Sequence, residues 1–234
     1  MNRLHTSILA GGLVISPVLL TVEELVRLTV DNQYVENETD DVLDASSHLQ
    51  AVEENLSLWH TAAFLDLGYV LSWAIAMLAI TIVVARSRPL LAAVVGLLGL
   101  VSSVGIAFHW AFYYLPLSGL AQEADRDLAA HAATMYGDDA LIAVALLMFL
   151  LGTLLAILAS GVGLWRAHAL PWWGAVGLIV WLGFVFVGSE ARAAALVNLA
   201  LLLPFVAVAR ELRPRKLPVS APPSAYVGPD AVAR

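Results

Sequence analysis

Residues 60–115 read HTAAFLDLGYVLSWAIAMLAITIVVARSRPLLAAVVGLLGLVSSVGIAFHWAFYYL, which is two apolar runs joined by a basic turn at residues 86–88. An α-helix needs ~20 mostly apolar residues to cross a bilayer core of ~30 Å, and each run is long enough. Only helices and closed barrels satisfy every backbone polar group in lipid, and long runs rich in Leu and Ala favour helices over alternating barrel strands. The stretch therefore predicts a transmembrane helical hairpin.

The composition of the whole chain agrees with a membrane location. Its 234 residues are 60% hydrophobic and 13% charged, with a mean hydropathy of +0.82. A soluble domain is ~25% charged, so much of this apolar surface must face lipid. The chain has no cysteine, which excludes a disulfide scaffold, a Cys-ligated metal site and a Cys nucleophile. Its net charge of −7 argues against nucleic acid as a partner, because nucleic acid binds basic surfaces.

Four further apolar runs complete the predicted bundle. We predict an all-α membrane protein with six transmembrane helices, over residues 7–22, 60–85, 89–115, 140–165, 171–188 and 193–209. The first span is short and contains Pro17, and its helix is expected to continue outside the membrane through Leu25, Val26 and Leu28. We expect it to be a retained helix and not a cleaved signal peptide, because Glu23 and Glu24 follow it where a small-residue cleavage site would stand.

The basic residues predict the orientation of the bundle. Three of them fall between the spans on one side, at Arg27, Arg126 and Arg192, and the other nine fall on the opposite side. Loops rich in Lys and Arg stay in the cytoplasm, so the side with nine is predicted to be inside, together with both termini. Residues 213–234 contain five prolines and predict a disordered cytoplasmic tail.

Two long segments, residues 23–59 and 116–139, are predicted to lie outside. In the first, apolar side chains recur at spacings of three and four, at Val42, Ala45, Leu49, Val52, Leu56 and Trp59. Such a stripe predicts an amphipathic helix that feeds into the second span and lies on the outer interface or caps the bundle. This helix is either a lid over an outward-facing site or a solvated connector.

Ionisable residues inside spans are few, and two of them are predicted to lie at one depth. Asp66 is 21 residues before Ser87 at the centre of the turn, and His109 is 22 residues after it. On adjacent antiparallel helices this spacing brings the two side chains to the same level. Asn198 is predicted at about that depth, and Tyr69 shares a helix face with Asp66. The predicted rim above this site is formed by His60, His131, Asp138, Asp139 and Glu190.

Three interpretations of the Asp66 and His109 pair stay open. The pair is a structural contact that lowers the cost of a carboxylate in lipid, a coupled site that handles protons or substrate, or part of a metal centre. Zinc accepts His and carboxylate ligands, but a structural site usually has four, and the chain contains no HExxH pattern. No cofactor is assigned.

The function expected from these features is non-enzymatic, as an accessory or a small-solute- and proton-handling protein of the membrane. The chain lacks the Gly-rich GK[ST] loop of ATPases and the GxSxG elbow of hydrolases. The alternative is a membrane-embedded hydrolase or metalloenzyme with an outward-facing His/Asp site. Expected partners are the lipid bilayer and either a second copy of the chain or another membrane protein.

Residues 149–176 read FLLGTLLAILASGVGLWRAHALPWWGAV, in which a Gly-containing span ends in LWR and a short loop leads to a Pro-Trp start. This passage resembles the fourth-to-fifth helix passage of uncharacterised bacterial six-helix integral membrane proteins, which form a domain of unknown function. The resemblance brings no catalytic or binding residue with it. We expect the protein to lie in a bacterial plasma membrane.

Overall fold

A computed structural model of the chain describes residues 2–35, 45–137, 139–187 and 195–212. Helix accounts for 91% of these residues, and none of them is in a strand. In chain order the helices are α1 (Arg3–Val35), α2 (Ala45–Glu54), α3 (Leu56–Ala85), α4 (Pro89–Leu120), α5 (Arg126–Gly137), α6 (Ala140–Arg166) and α7 (Trp172–Val187), followed by a 3₁₀ helix (Leu196–Leu201) and α8 (Leu202–Leu212). The predicted tail, residues 213–234, lies outside the described residues.

Four helices are long and apolar enough to cross a bilayer. They are α1 over Arg3–Asp31, and the whole of α3, α4 and α6. The last two predicted spans, 171–188 and 193–209, correspond to shorter elements: α7 has 16 residues, and the 3₁₀ helix and α8 together cover Leu196–Leu212. The described part of the chain is thus all-helical and contains four helices of membrane-spanning length.

The first helix continues past the predicted span over residues 7–22, as expected for Leu25, Val26 and Leu28, and it extends further, to Val35. Pro17 lies within it, and the hydroxyl of Thr21 donates to the carbonyl of Pro17 at 2.7 Å. Beyond that point Arg27 reaches Asp31 at 2.7 Å, four residues along the same helix face. The Arg27–Asp31 pair lets the helix carry charged residues that a hydropathy profile would place in solvent.

The central hairpin forms where the sequence predicts it. The amide of Arg88 donates to the carbonyl of Val84 at 2.9 Å, and Pro89 is the first residue of α4, where its missing N–H needs no partner. In this bundle α1 packs against α3, α3 against α4, and α4 against α6, while α8 packs against α1 and α7. α6 also contacts α3 and α7, so the helices from α1 to α8 form a closed arrangement and not an open row.

One end of the bundle, here the basic end, carries the arginines that terminate several helices. A guanidinium nitrogen of Arg86 donates to the carbonyl of Glu211 at 2.6 Å, and Nε of Arg88 donates to the carbonyl of Arg166 at 3.3 Å. The guanidinium of Arg210 lies 5.5 Å from the ring centre of Trp173. These contacts tie the ends of α3, α6, α7 and α8 together.

The opposite end, here the cap end, is covered by α2 and α5, which pack against each other. The predicted amphipathic helix is present as α2 from Ala45, and it is separate from α3 because the helix is interrupted at Asn55. Leu49 and Val52 of the predicted stripe are buried in a second core with Trp59. The first stripe residue, Val42, lies outside the described residues. The apolar face of α2 thus caps the bundle.

Candidate functional site

A cavity of about 430 Å³ lies toward the cap end, between α1, α3, α4, α6, α7 and the 3₁₀ helix. One part of its wall is polar, with Glu23, Glu24, Arg27, Asp66, Tyr69, His109, Tyr113, Thr153 and Asn198. The other part is apolar, with Leu20, Phe149, Leu150, Leu154 and Trp181. Sites for small molecules combine an apolar wall with a few converging polar groups in this way, and their volumes start at ~300 Å³.

Asp66 and His109 meet at this cavity without forming a hydrogen bond. Nδ1 of His109 lies 3.9 Å from Oδ2 of Asp66, which is beyond hydrogen-bond distance. Asp66 is only 4% exposed, and its Oδ2 has no hydrogen-bond partner among the described residues. Such a carboxylate is unfavourable unless it gains a proton or a partner from within the cavity.

The imidazole of His109 is held by rings on both faces. Its centre lies 5.1 Å from that of Tyr113 and 4.7 Å from that of Phe149, and both pairs are stacked. His109 and Tyr113 also line a second, smaller cavity of about 220 Å³, which reaches His48 of α2. The side chains of His109 and Tyr113 therefore line both the main cavity and the smaller cavity beneath α2.

Asn198 is fixed by hydrogen bonds on both sides of its amide. Its Nδ2 donates to Oε2 of Glu24 at 2.6 Å, and its Oδ1 accepts from Nε1 of Trp181 at 3.0 Å. These bonds link α1, the 3₁₀ helix and α7 along one side of the cavity. Oε2 of Glu24 therefore accepts a hydrogen bond, whereas Oδ2 of Asp66 accepts none from the described residues.

Three charged side chains of α1, those of Glu23, Arg27 and Asp31, pair with one another along the helix. Glu23 is buried, accepts a hydrogen bond from the hydroxyl of Tyr114, and lies 3.5 Å from Nε of Arg27. Arg27 in turn pairs with Asp31 at 2.7 Å, and Oδ1 of Asp31 lies 3.4 Å from Nε2 of His48. The guanidinium that lines the cavity is thus engaged by two carboxylates of its own helix.

The sequence reasoning missed Glu23, Glu24 and Arg27 as cavity residues. It placed them in an outer loop, because a run of charges after an apolar span normally marks the water interface. The helix was expected to continue past residue 22, but outside the bundle. The spacing of Leu20, Glu23 or Glu24, and Arg27 on one helix face is the signal that these residues share a surface.

The other residues predicted for the site are placed differently. Tyr69 is buried and lines the cavity, as do Asp66, His109 and Asn198. Of the predicted rim, His60 and His131 are exposed and do not line the cavity. Asp139 caps α6, where its carboxylate accepts from the amide of Leu141 at 2.7 Å. The remaining two rim residues, Asp138 and Glu190, lie outside the described residues.

The described parts of the chain contain no group of three or more His, Cys, Asp or Glu side chains that could hold a metal ion. The alternative of a metal centre therefore has no ligand set in those parts. No family model, no curated protein and no solved structure matches this chain. The described wall of the cavity therefore combines a buried carboxylate whose Oδ2 has no hydrogen-bond partner, a ring-stacked imidazole and an apolar side.

Proposed function

We propose that this chain is a non-enzymatic membrane protein that takes up a small solute in the cavity and exchanges a proton at Asp66 and His109. The observation that carries the proposal is the buried Oδ2 of Asp66, which has no hydrogen-bond partner in the described part of the chain. Buried polar atoms in proteins are normally hydrogen-bonded, and exceptions mark strain or function. An ionisable residue within a membrane helix is also a functional candidate, because its burial is costly.

His109 supports the exchange of a proton. An imidazole changes its charge near neutral pH, and Nδ1 of His109 lies 3.9 Å from the carboxylate. An imidazole beside a buried carboxylate supports a site at which a proton is exchanged.

The proposal includes six spans in a bacterial plasma membrane, with both termini inside. Nine of the twelve basic residues favour the basic end as cytoplasmic. The fifth and sixth spans would be α7 and the 3₁₀–α8 segment, which return to the basic end where Arg210 contacts Trp173. In this orientation the cavity lies in the outer half of the bundle.

Single-cysteine labelling tests the orientation, and the chain needs no prior cysteine removal because it has none. Ser87→Cys places a thiol in the turn at the basic end, and Asp127→Cys places one on the exposed face of α5. A membrane-impermeant maleimide should label Asp127→Cys in intact cells and Ser87→Cys only after permeabilisation. The reverse pattern would overturn the orientation.

Infrared difference spectroscopy tests the proton exchange. The protein in nanodiscs is compared between about pH 5 and about pH 8, the range over which imidazole side chains change their charge. We expect a carboxylic-acid carbonyl band that is absent from Asp66→Asn and retained in Asp127→Asn, which removes an exposed carboxylate outside the cavity. A difference spectrum unchanged by Asp66→Asn would reject the exchange of protons at this residue.

A further inference from the structure

We propose that the solute is a small organic amine with an apolar body, bound as an ammonium ion at Asp66. This inference rests on the proposed function and names the solute class of the same cavity. It follows from three features of the wall: the balance of charges, the unpaired carboxylate and the apolar side.

The charges of the described wall favour a cation. Three carboxylates, those of Glu23, Glu24 and Asp66, line the cavity with one guanidinium, that of Arg27. Arg27 is already engaged by Glu23 and Asp31, at 3.5 Å and 2.7 Å. An anionic solute would have to displace these carboxylates to reach the guanidinium. At Asp66 a cationic solute meets the imidazole of His109, but its Nδ1 is 3.9 Å from Oδ2 and forms no hydrogen bond that the solute would have to break.

The unpaired carboxylate gives the cation its position. Glu23 accepts from Tyr114 and Glu24 accepts from Asn198, whereas Oδ2 of Asp66 is buried and has no hydrogen-bond partner among the described residues. An ammonium group carries N–H donors and a full positive charge, so it supplies the hydrogen bond that Oδ2 lacks together with a permanent counter-charge. When the amine binds, it takes the place of the proton on Asp66, and that proton passes to solvent.

The apolar side of the cavity distinguishes an organic amine from an inorganic cation. Leu20, Leu150 and Leu154 line it together with the rings of Phe149 and Trp181. Leu150 is 59% exposed, so this wall lies at the edge of the bundle where α6 borders the surface. An inorganic ion gains nothing from such a wall. An alkyl or aromatic body buries its surface there, and the rings also attract a nearby cation.

Binding of matched probes to the protein in nanodiscs tests the inference, with empty nanodiscs as the partition control. Benzylammonium and hexylammonium are the amines, benzyl alcohol and hexanol are their neutral counterparts, and benzoate is the anion. We expect saturable binding of at least one amine, about tenfold tighter than its alcohol, which corresponds to about 1.4 kcal/mol. Benzoate should bind no more tightly than the alcohols.

Asp66→Asn keeps the size of the side chain and removes its charge, so it should weaken amine binding about tenfold or more. Asp127→Asn should leave amine binding unchanged, and thermal melts check that both variants are folded. The inference is overturned if both alcohols or benzoate bind as tightly as the amines, if Asp66→Asn binds the amines like the parent protein, or if sodium chloride competes with them at equal concentration. It is also overturned if neither amine binds.

These outcomes separate the inference from the proposed function. Loss of amine binding with the infrared band of Asp66 retained rejects the amine and leaves the proton exchange in place. Binding of benzoate or an alcohol that depends on Asp66 rejects the amine and leaves a small-solute site. Absence of both the band and any Asp66-dependent binding rejects the two proposals together.

Discussion

The two sides of α6 face different surroundings. On one side, α6 meets α4 in a closed seam, where Gly105 lies against the backbone of Met148 and Gly152 lies against the backbone of Ser102. On the other side, Leu150 and Leu154 of α6 face a cavity of about 430 Å³ rather than another helix. Small residues let membrane helices approach closely, and close packing fixes their relative positions. The seam can therefore hold the helices in place while the other side keeps an open, charged space.

The polar groups on the two sides differ in the same way. In the seam, Ser102 is fully buried and hydrogen-bonded to both Trp73 and Thr153. In the cavity, Asp66 is buried beside His109 without a hydrogen bond to Oδ2. A satisfied buried group stabilises the fold, whereas an unsatisfied one weakens it. Substitutions on the two sides should therefore change stability with opposite signs.

The largest effect is expected at Gly105 in the seam. A Cβ added by Gly105→Ala would overlap the backbone of Met148 and Phe149, which cannot move as a flexible side chain would. Overpacking of this kind costs about 1–3 kcal/mol, and backbone overlap places this variant near about 3 kcal/mol. Unfolding by a denaturing detergent measures the change.

Gly119→Ala is the matched control in the same helix. Nothing lies within 4 Å of a Cβ added there, so only helix propensity changes. Stability should stay constant or rise by up to about 1 kcal/mol. Equal losses in the two variants would mean that the α4–α6 seam is not closely packed at Gly105.

The next effect is expected at Ser102. Its hydroxyl accepts from Nε1 of Trp73 at 2.9 Å and is 2.8 Å from the hydroxyl of Thr153. Ser102→Ala leaves both partners buried and unpaired, at a cost of about 1–2 kcal/mol. The neighbouring Ser103 bonds only to the carbonyl of Gly99 in its own helix, at 2.8 Å. Ser103→Ala should stay within about 0.5 kcal/mol of the parent protein in the same unfolding assay, and a larger loss there than at Ser102 would contradict this assignment.

The sequence predicted the part of the site that depends on depth alone. Counting from the turn at Ser87 works for Asp66 and His109, because α3 and α4 are regular helices joined by three residues. The depth of a residue does not determine which way its side chain points around the helix axis. His60 and His131 are exposed and do not line the cavity. These residues show that facing the cavity requires the packing of neighbouring helices.

Counting residues from a turn could not predict that the charged stretch of α1 is buried in the bundle. Hydropathy treats each charge separately, whereas Glu23, Arg27 and Asp31 are tolerated in the bundle because they compensate one another across helical turns. Their burial also depends on partners far along the chain, such as Tyr114 for Glu23. Long-range partners of this kind become visible only when the fold is known.

The smallest effect, with the opposite sign, is expected at Asp66. Asp66→Asn keeps the side-chain shape but removes a buried ionisable group whose Oδ2 has no hydrogen-bond partner in the described residues. Stability should rise by about 1 kcal/mol, because the variant no longer carries this unsatisfied ionisable group. The measurement is the same denaturing-detergent unfolding, with Asp127→Asn as the exposed control that should change nothing.

A bound amine should make the parent protein more stable than Asp66→Asn, the reverse of the order expected without a ligand. A ligand that binds only the folded state stabilises it by RT ln(1 + [L]/Kd), which is about 2.7 kcal/mol at a concentration of about one hundred times Kd. With benzylammonium or hexylammonium at that level, the parent protein should become more stable than Asp66→Asn, since only the parent retains the carboxylate. A loss of stability in Asp66→Asn without any amine, as large as that of Ser102→Ala, would instead mean that Asp66 holds the bundle together. The seam and the cavity would then no longer differ in the role of their polar groups.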